Sequence, residues 1–228
     1  MFALLSSGCA SYTTPGAGVS LAGINQADIA EAFAREPAAT FPANIAIARV
    51  QASGYASRSN SSYGRGGFSV VTTRDIEKEK DFADIASTRG VSSIAPLTRI
   101  LIPATLSTTK DLRRAAAQLK ADLLVLYTVD TSFRTDVGRV GPLQTIALGF
   151  LPNRKSHVDA TTSAMIIDVR SGFVFGTVEA THTESQRSDV WGTESAIESA
   201  RHIAERKSFE AVVSQLQDLL KEISLKQG

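Results

Sequence analysis

The chain has one cysteine, Cys9, in 228 residues. A disulfide framework and a thiolate metal cluster are thereby excluded. If Cys9 is modified, no thiol remains, which suits an oxidising compartment. Histidine is also scarce, with only His157, His182 and His202. His202 and Glu205 form a single H-x-x-E pair, and His182 with Glu184 shares a strand face. A metal site needs three or four ligands, so no metal is expected. No apolar run approaches the ~18–20 residues of a membrane-spanning helix. Charge of neither sign prevails: 24 basic residues stand against 23 acidic, and the formal net charge of +1 gives no general bias toward nucleic acid. G-x-S-x-G, P-loop and G-x-G-x-x-G motifs are absent, and no cofactor is expected. Ser107-Thr108-Thr109-Lys110 matches S-x-x-K, but the companion S-D-N and K-T-G motifs are missing. Serine and threonine there fit helix capping. The expectation is a protein that is not an enzyme, with no catalytic residues.

What is present reads as one ordinary globular domain, with 43% apolar and 21% charged residues. At this size a chain buries roughly 70% of its unfolded surface, so disulfides and metals are unnecessary for stability. Residues 24–35 read as a short helix. Asn44–Gln51 alternates with period two, placing Ile45, Ile47 and Arg49 on one face and Ala46, Ala48 and Val50 on the other. Residues 53–67, rich in serine and glycine and carrying Arg58, Tyr63 and Arg65, read as a mobile basic loop. Phe68–Thr72 follows as a strand, then a helix over 74–87 with Glu77-Lys78-Glu79-Lys80-Asp81 as its solvated face. Val91–Pro96 and Thr98–Ile102 are strand-like. Thr108 and Asp111 open a helix with a stripe of Leu112, Ala115, Ala116 and Leu119. Ala121–Val129 is apolar on both faces, as a central strand must be. His157–Arg170 and Phe173–Thr183 form a hairpin around Ser171-Gly172. Thr193 caps a long helix to about Leu225, with Ile197, Ala200, Ala204, Val212, Leu216, Leu219 and Ile223 buried, and Trp191 stapling its start. The fold class is α+β (mixed α/β): a mixed, mainly antiparallel sheet with helices packed on it and a long C-terminal helix.

The N-terminus reads Met1-Phe2-Ala3-Leu4-Leu5-Ser6-Ser7-Gly8-Cys9-Ala10. This resembles a lipobox, where bacterial lipoproteins are diacylated on cysteine and cleaved just before it. Leu5 stands four residues before Cys9, where the family's leucine stands three before. The first basic residue is Arg35, so the expectation is that the signal's charged region begins upstream of Met1. The alternative is an unmodified cysteine buried in a short apolar segment. Residues 10–23 are small, polar and glycine-rich, a tether composition. The division is a signal over 1–9, a linker with a short helix over 10–43, and a domain over 44–228. The resemblance implies lipid attachment at Cys9. Ala10, being other than aspartate, implies the outer membrane, with the domain facing the periplasm.

Over 44–225 the segments LRRAAAQLKADLLVLYTVDT and AMIIDVRSGFVFG, followed by a C-terminal helix, resemble the α/β lipoprotein domains of the bacterial envelope. Those are the curli-secretion channel lipoprotein, the lipoprotein activators of penicillin-binding proteins and the amino-terminal domain of TolB. The ADLL-YT-DT and DVR-G segments are also similar to a class of proteobacterial lipoproteins. Gly141–Pro152, with Leu143, Ile146, Leu148, Phe150 and Leu151, is an apolar segment fenced by turn residues. It reads either as an edge strand completing the core or as an exposed patch for a partner or a bilayer. In the curli channel the corresponding region extends into a barrel; here there are too few residues for two spans of ~9–11 residues and their turns. The reading is an envelope lipoprotein that binds a membrane through acylated Cys9 and a protein partner, with no nucleic acid. A subunit of a secretion or surface-assembly channel ranks second, and a periplasmic hydrolase using Ser107 and Lys110 third.

Overall fold

The computed structural model describes residue 18 and residues 29–57, 60–137, 154–188 and 193–227. Its elements are α1 (Ile29–Ala34), β1 (Ala43–Gln51), β2 (Arg65–Gly66), β3 (Ser69–Val71), α2 (Glu79–Ala86), β4 (Val91–Pro96), a 3-10 turn (Arg99–Leu101), β5 (Thr105–Leu106), α3 (Thr109–Gln118), β6 (Leu123–Val137), β7 (Arg154–Asp168), β8 (Val174–Ser188) and α4 (Thr193–Gln227). The main sheet has the order β3-β1-β6-β7-β8. β4 shares an edge of β1 with β3: β4 takes the first half of β1 in parallel, and β3 takes the end antiparallel. β1 and β6 are parallel, and β6-β7-β8 is an antiparallel meander. The mixed, mainly antiparallel sheet and the long last helix are those expected.

β6 is apolar on both faces because both faces are covered. Leu124 and Leu126 meet α3 through Leu112, Ala115 and Ala116. Leu123, Val125 and Val129 meet α4 through Phe209, Val212 and Leu216, with Phe82 and Ile85 of α2 beside them. β1 divides as its alternation requires, Ala46, Ala48 and Val50 facing α3 and Ile45 and Ile47 facing α4. Each fully buried leucine or isoleucine contributes roughly 1.5–3 kcal/mol.

The ladders do not end together. β1 reaches β6 only as far as Arg49↔Tyr127, whereas β6 and β7 stay paired to Val137↔Arg154. Beyond β1, residues 130–137 therefore rise as part of a three-stranded arm, roughly 27 Å at ~3.4 Å per residue. The first turns of α4 cover one face of this arm, Ala200 and Ala204 packing on Val158 and Ala160.

Several expectations change. Thr98–Ile102 is a 3-10 turn, not a strand: Leu101 and Ile102 donate to the carbonyls of Thr98 and Arg99, which buries Ile102 and leaves Ile100 exposed. The helix expected over 74–87 is only Glu79–Ala86, because the Asp81 carboxylate bonds the Lys78 amide and fixes the start there. Residues 53–67 are not a free loop among the described positions. Tyr55 is buried, Tyr63 bridges Val70, and β2 pairs with β5. Residues 38 and 39, on the linker side of the division, are fastened to the sheet, both amides donating to Asp168 Oδ2 at 2.6 Å. The part of α1 expected over 24–28 lies outside the described residues.

α3 hands over to β6 through Lys120, whose φ of 57° is left-handed. A side chain in that conformation costs roughly 1–2 kcal/mol, and glycine is the favoured residue there. Lys120 is exposed and its side chain is not needed for packing. Lys120→Gly is therefore expected to stabilise the domain by about 0.5–1 kcal/mol in urea unfolding, allowing for glycine's freer unfolded chain.

Candidate functional site

The densest chemistry lies between the sheet and α4. Arg49 closes the inward row of β1 and is 2% exposed. Its guanidinium lies 2.9 Å from Asp75, 3.5 Å from Glu77 and 4.0 Å from Glu205. It also stacks on the Tyr55 ring at 5.7 Å. From α4, Arg201 reaches Glu205 at 2.6 Å and Glu198 at 2.6 Å. The second oxygen of Glu205 accepts the Thr131 hydroxyl at 2.8 Å. The Tyr127 hydroxyl donates to Glu77 at 2.7 Å, and its ring packs on Phe209. Next along α4, Arg206 pairs with Asp81 and donates to the Ile76 carbonyl at 2.7 Å.

The electrostatics follow from this crowding. Burial pulls the Arg49 guanidinium down, but Glu77, Tyr55, Asp75 and Glu205 carry it above its ordinary value. For Arg201, burial again pulls down, and Glu198 and Glu205 outweigh it. Both cations stay charged. Burial, with the Glu77 carboxylate, pushes the Tyr127 hydroxyl well up, so it stays a neutral donor. For Asp81, burial pushes up, but the Arg206 guanidinium and the Lys78 amide outweigh it and hold the carboxyl below its ordinary value. A carboxyl depressed in the folded state contributes stability above its unfolded pKa of ~3.9 and loses it as pH falls through the folded value. Asp81→Asn is thus expected to lower the urea midpoint at pH 7, with the gap to the parent shrinking as pH falls below the unfolded value of ~3.9. A gap that stays undiminished as the solution is acidified below that value would contradict this.

A cleft opens beside the cluster. Arg49, Glu77 and Tyr127 line its inner part, with Thr72, Thr73, Arg74, Phe82 and Pro96 around them, and it holds about 320 Å³ including its open mouth. Arg74 lies over the Phe82 ring at 4.7 Å. Arg49 Nε and Glu77 Oε2 are buried without a hydrogen-bond partner among the described residues. One donor and one acceptor at a small polar recess suit an ordered water.

The residues singled out in the sequence do not converge on this cleft. Ser107 and Lys110 are both exposed at the start of α3, where the Ser107 amide donates to Asp111 at 2.9 Å. That is capping chemistry. His202 and Glu205 part company: the imidazole contacts the Asp75 carbonyl at 2.9 Å, and Glu205 turns into the buried cluster. His182 lies 3.5 Å from Glu184 on one face of β8, as expected, with Lys207 on the same carboxylate. His157 lies within β7. Tyr63 carries the Arg99 guanidinium at 5.3 Å, while Arg65 is exposed in β2. Among the described residues, no group of three His, Cys, Asp or Glu is placed to hold a metal ion. Cys9, Arg58, Leu143, Ile146, Leu148, Phe150, Leu151 and Trp191 lie outside the described residues.

The main correction concerns the charge run of residues 77–81. Glu77 is 8% exposed and Asp81 3%, so two of its five members are core groups, not a solvated face. The signal was on α4. Arg201 and Glu205 fall on the same stripe as Ile197, Ala204 and Ser208, so their burial could be read from spacing.

No protein-family model and no curated protein matches the chain. Solved structures to which it is similar include a minor lipoprotein from Acinetobacter baumannii, with 10% identity over 80% of this chain and 93% of that one, at a TM-score of 0.34. Lipoprotein GNA1162 from Neisseria meningitidis has 14% identity over 78% and 99%, at 0.34. A PelC dodecamer from Paraburkholderia phytofirmans has 14% over 80% and 92%, at 0.31. Likenesses of this grade define neither a family nor a function.

Proposed function

We propose that this is a cell-envelope lipoprotein whose domain binds a protein partner through the end of its arm and performs no catalysis. The membrane side of the reading rests on the sequence: a single cysteine in a lipobox-like setting, with a tether after it. The observation that carries the partner side is the arm. Residues 130–137 of β6 stay paired with β7 beyond the end of β1, and the connection between the two strands, residues 138–153, holds Leu143, Ile146, Leu148, Phe150 and Leu151. A domain needing that segment only to finish its core has little use for an arm that carries its ends away from the core. Outer-membrane attachment and a periplasmic orientation, following Ala10, complete the reading.

A photo-crosslinking side chain at position 148, in cells producing the protein from its own locus, tests the partner. The expected result is one discrete crosslinked species. It is expected to disappear when the same probe is combined with Ile146→Ser and Phe150→Ser, which remove two of the segment's apolar side chains. Crosslinks only to the chain's own core would contradict the reading.

A further inference from the structure

β8 ends the sheet. It pairs with β7 on one side and, among the described residues, with no strand on the other. An open edge of 15 residues is a template for another strand, and proteins guard such edges with charge, proline or bulges. β8 has no lysine or proline, and its one register shift lies at its start, between Val174 and Gly176, leaving the ladder regular from Gly176 onward. Its outward face is polar, with Thr177, Glu179, Thr181, Thr183 and Ser185 exposed. Such a face suits extension of the sheet by another polar strand and does not suit a lipid surface.

The charges of β8 are symmetric about Thr183. His182 and Glu184 stand one residue to either side, and Glu179 and Arg187 four to either side. In an antiparallel pair related by a two-fold axis at Thr183, equidistant residues oppose each other. Glu184 is then opposite His182 of the second copy, and Glu179 opposite Arg187. An axis at Glu179 or Glu184 instead sets like carboxylates opposite, which destabilises a pair. No other residue of β8 taken as the axis gives both carboxylates a cation.

We infer that two copies of this chain pair through their β8 edges, antiparallel and centred on Thr183, as a two-fold dimer with one continuous sheet. The dimer does not depend on the lipid anchor, so the test uses the full chain with Cys9→Ser, which removes the anchor and the only thiol. Sedimentation equilibrium over about 1–100 µM is expected to show a monomer–dimer equilibrium. Glu179→Arg or Arg187→Glu alone weakens it about tenfold, because both symmetric pairs become repulsive. The double exchange Glu179→Arg with Arg187→Glu restores it. Circular dichroism identifies the folded variants, and position 179 is exposed, so at least that variant is expected to fold. A monomer throughout the range, single changes without effect, or a double exchange that restores nothing would each overturn the inference.

Discussion

Glu205→Ala is expected to destabilise the domain by about 3–5 kcal/mol in urea unfolding at neutral pH, the scale for breaking a buried ion pair from one side. Glu205 is 1% exposed and serves three partners: Arg201 at 2.6 Å, the Thr131 hydroxyl at 2.8 Å and Arg49 at 4.0 Å. Alanine takes from a fully buried Arg201 the carboxylate at 2.6 Å that is itself buried, and leaves the Thr131 hydroxyl without its acceptor. The cost comes from the groups left behind and exceeds any net value of the pair itself. Replacing both partners by apolar residues, Arg201→Met with Glu205→Leu, is accordingly expected to recover most of the loss. A Glu205→Ala loss under about 1 kcal/mol would mean that water reaches the cluster and screens it.

Asp168→Ala is expected to cost about 3 kcal/mol and to loosen residues 35–42 from the domain. Asp168 is 0% exposed and accepts four backbone N–H groups: Ala38 and Ala39 at Oδ2, Arg170 at 2.8 Å and Ser171 at 2.9 Å at Oδ1. One carboxylate therefore shapes the β7–β8 turn and fastens the segment that enters β1. Asp168→Asn does not replace it, because the amide nitrogen would face N–H donors on one side. Trypsin cleavage after Arg35 is expected to quicken several-fold in both variants, since local opening exposes backbone that the native contacts protect. Unchanged cleavage would show that the segment is held by other contacts, such as the Phe41 ring on Phe175.

The elements that could be read in the sequence were those with an unambiguous period. Ala121–Val129 is apolar at every position but Asp122 and Thr128, and only a strand covered on both faces uses such a run. The stripe of α4 and the Ser171-Gly172 turn were equally legible. Burial of charge was not. Glu77 and Asp81 look like a solvated face because their partners, Arg49 and Arg206, come from β1 and α4, far away in sequence. Asp168 reads as the polar end of a strand, and nothing near it in the sequence announces Ala38 and Ala39. Short connections were misread for a related reason. Thr98–Ile102 has strand composition, yet Leu97 and Ile102 are buried on either side of a 3-10 turn while Ile100 faces out.

In the proposed function, lipid on Cys9 is what holds the domain to a membrane. The most direct measurement is metabolic labelling with an alkyne fatty acid in cells that express the gene from its own locus, with a C-terminal tag and mass spectrometry of the N-terminal peptide. The expected result is a labelled, membrane-associated protein whose first residue is an acylated Cys9, and a Cys9→Ser variant without label. A mature chain that retains residues 1–8 with an unmodified Cys9 would contradict it.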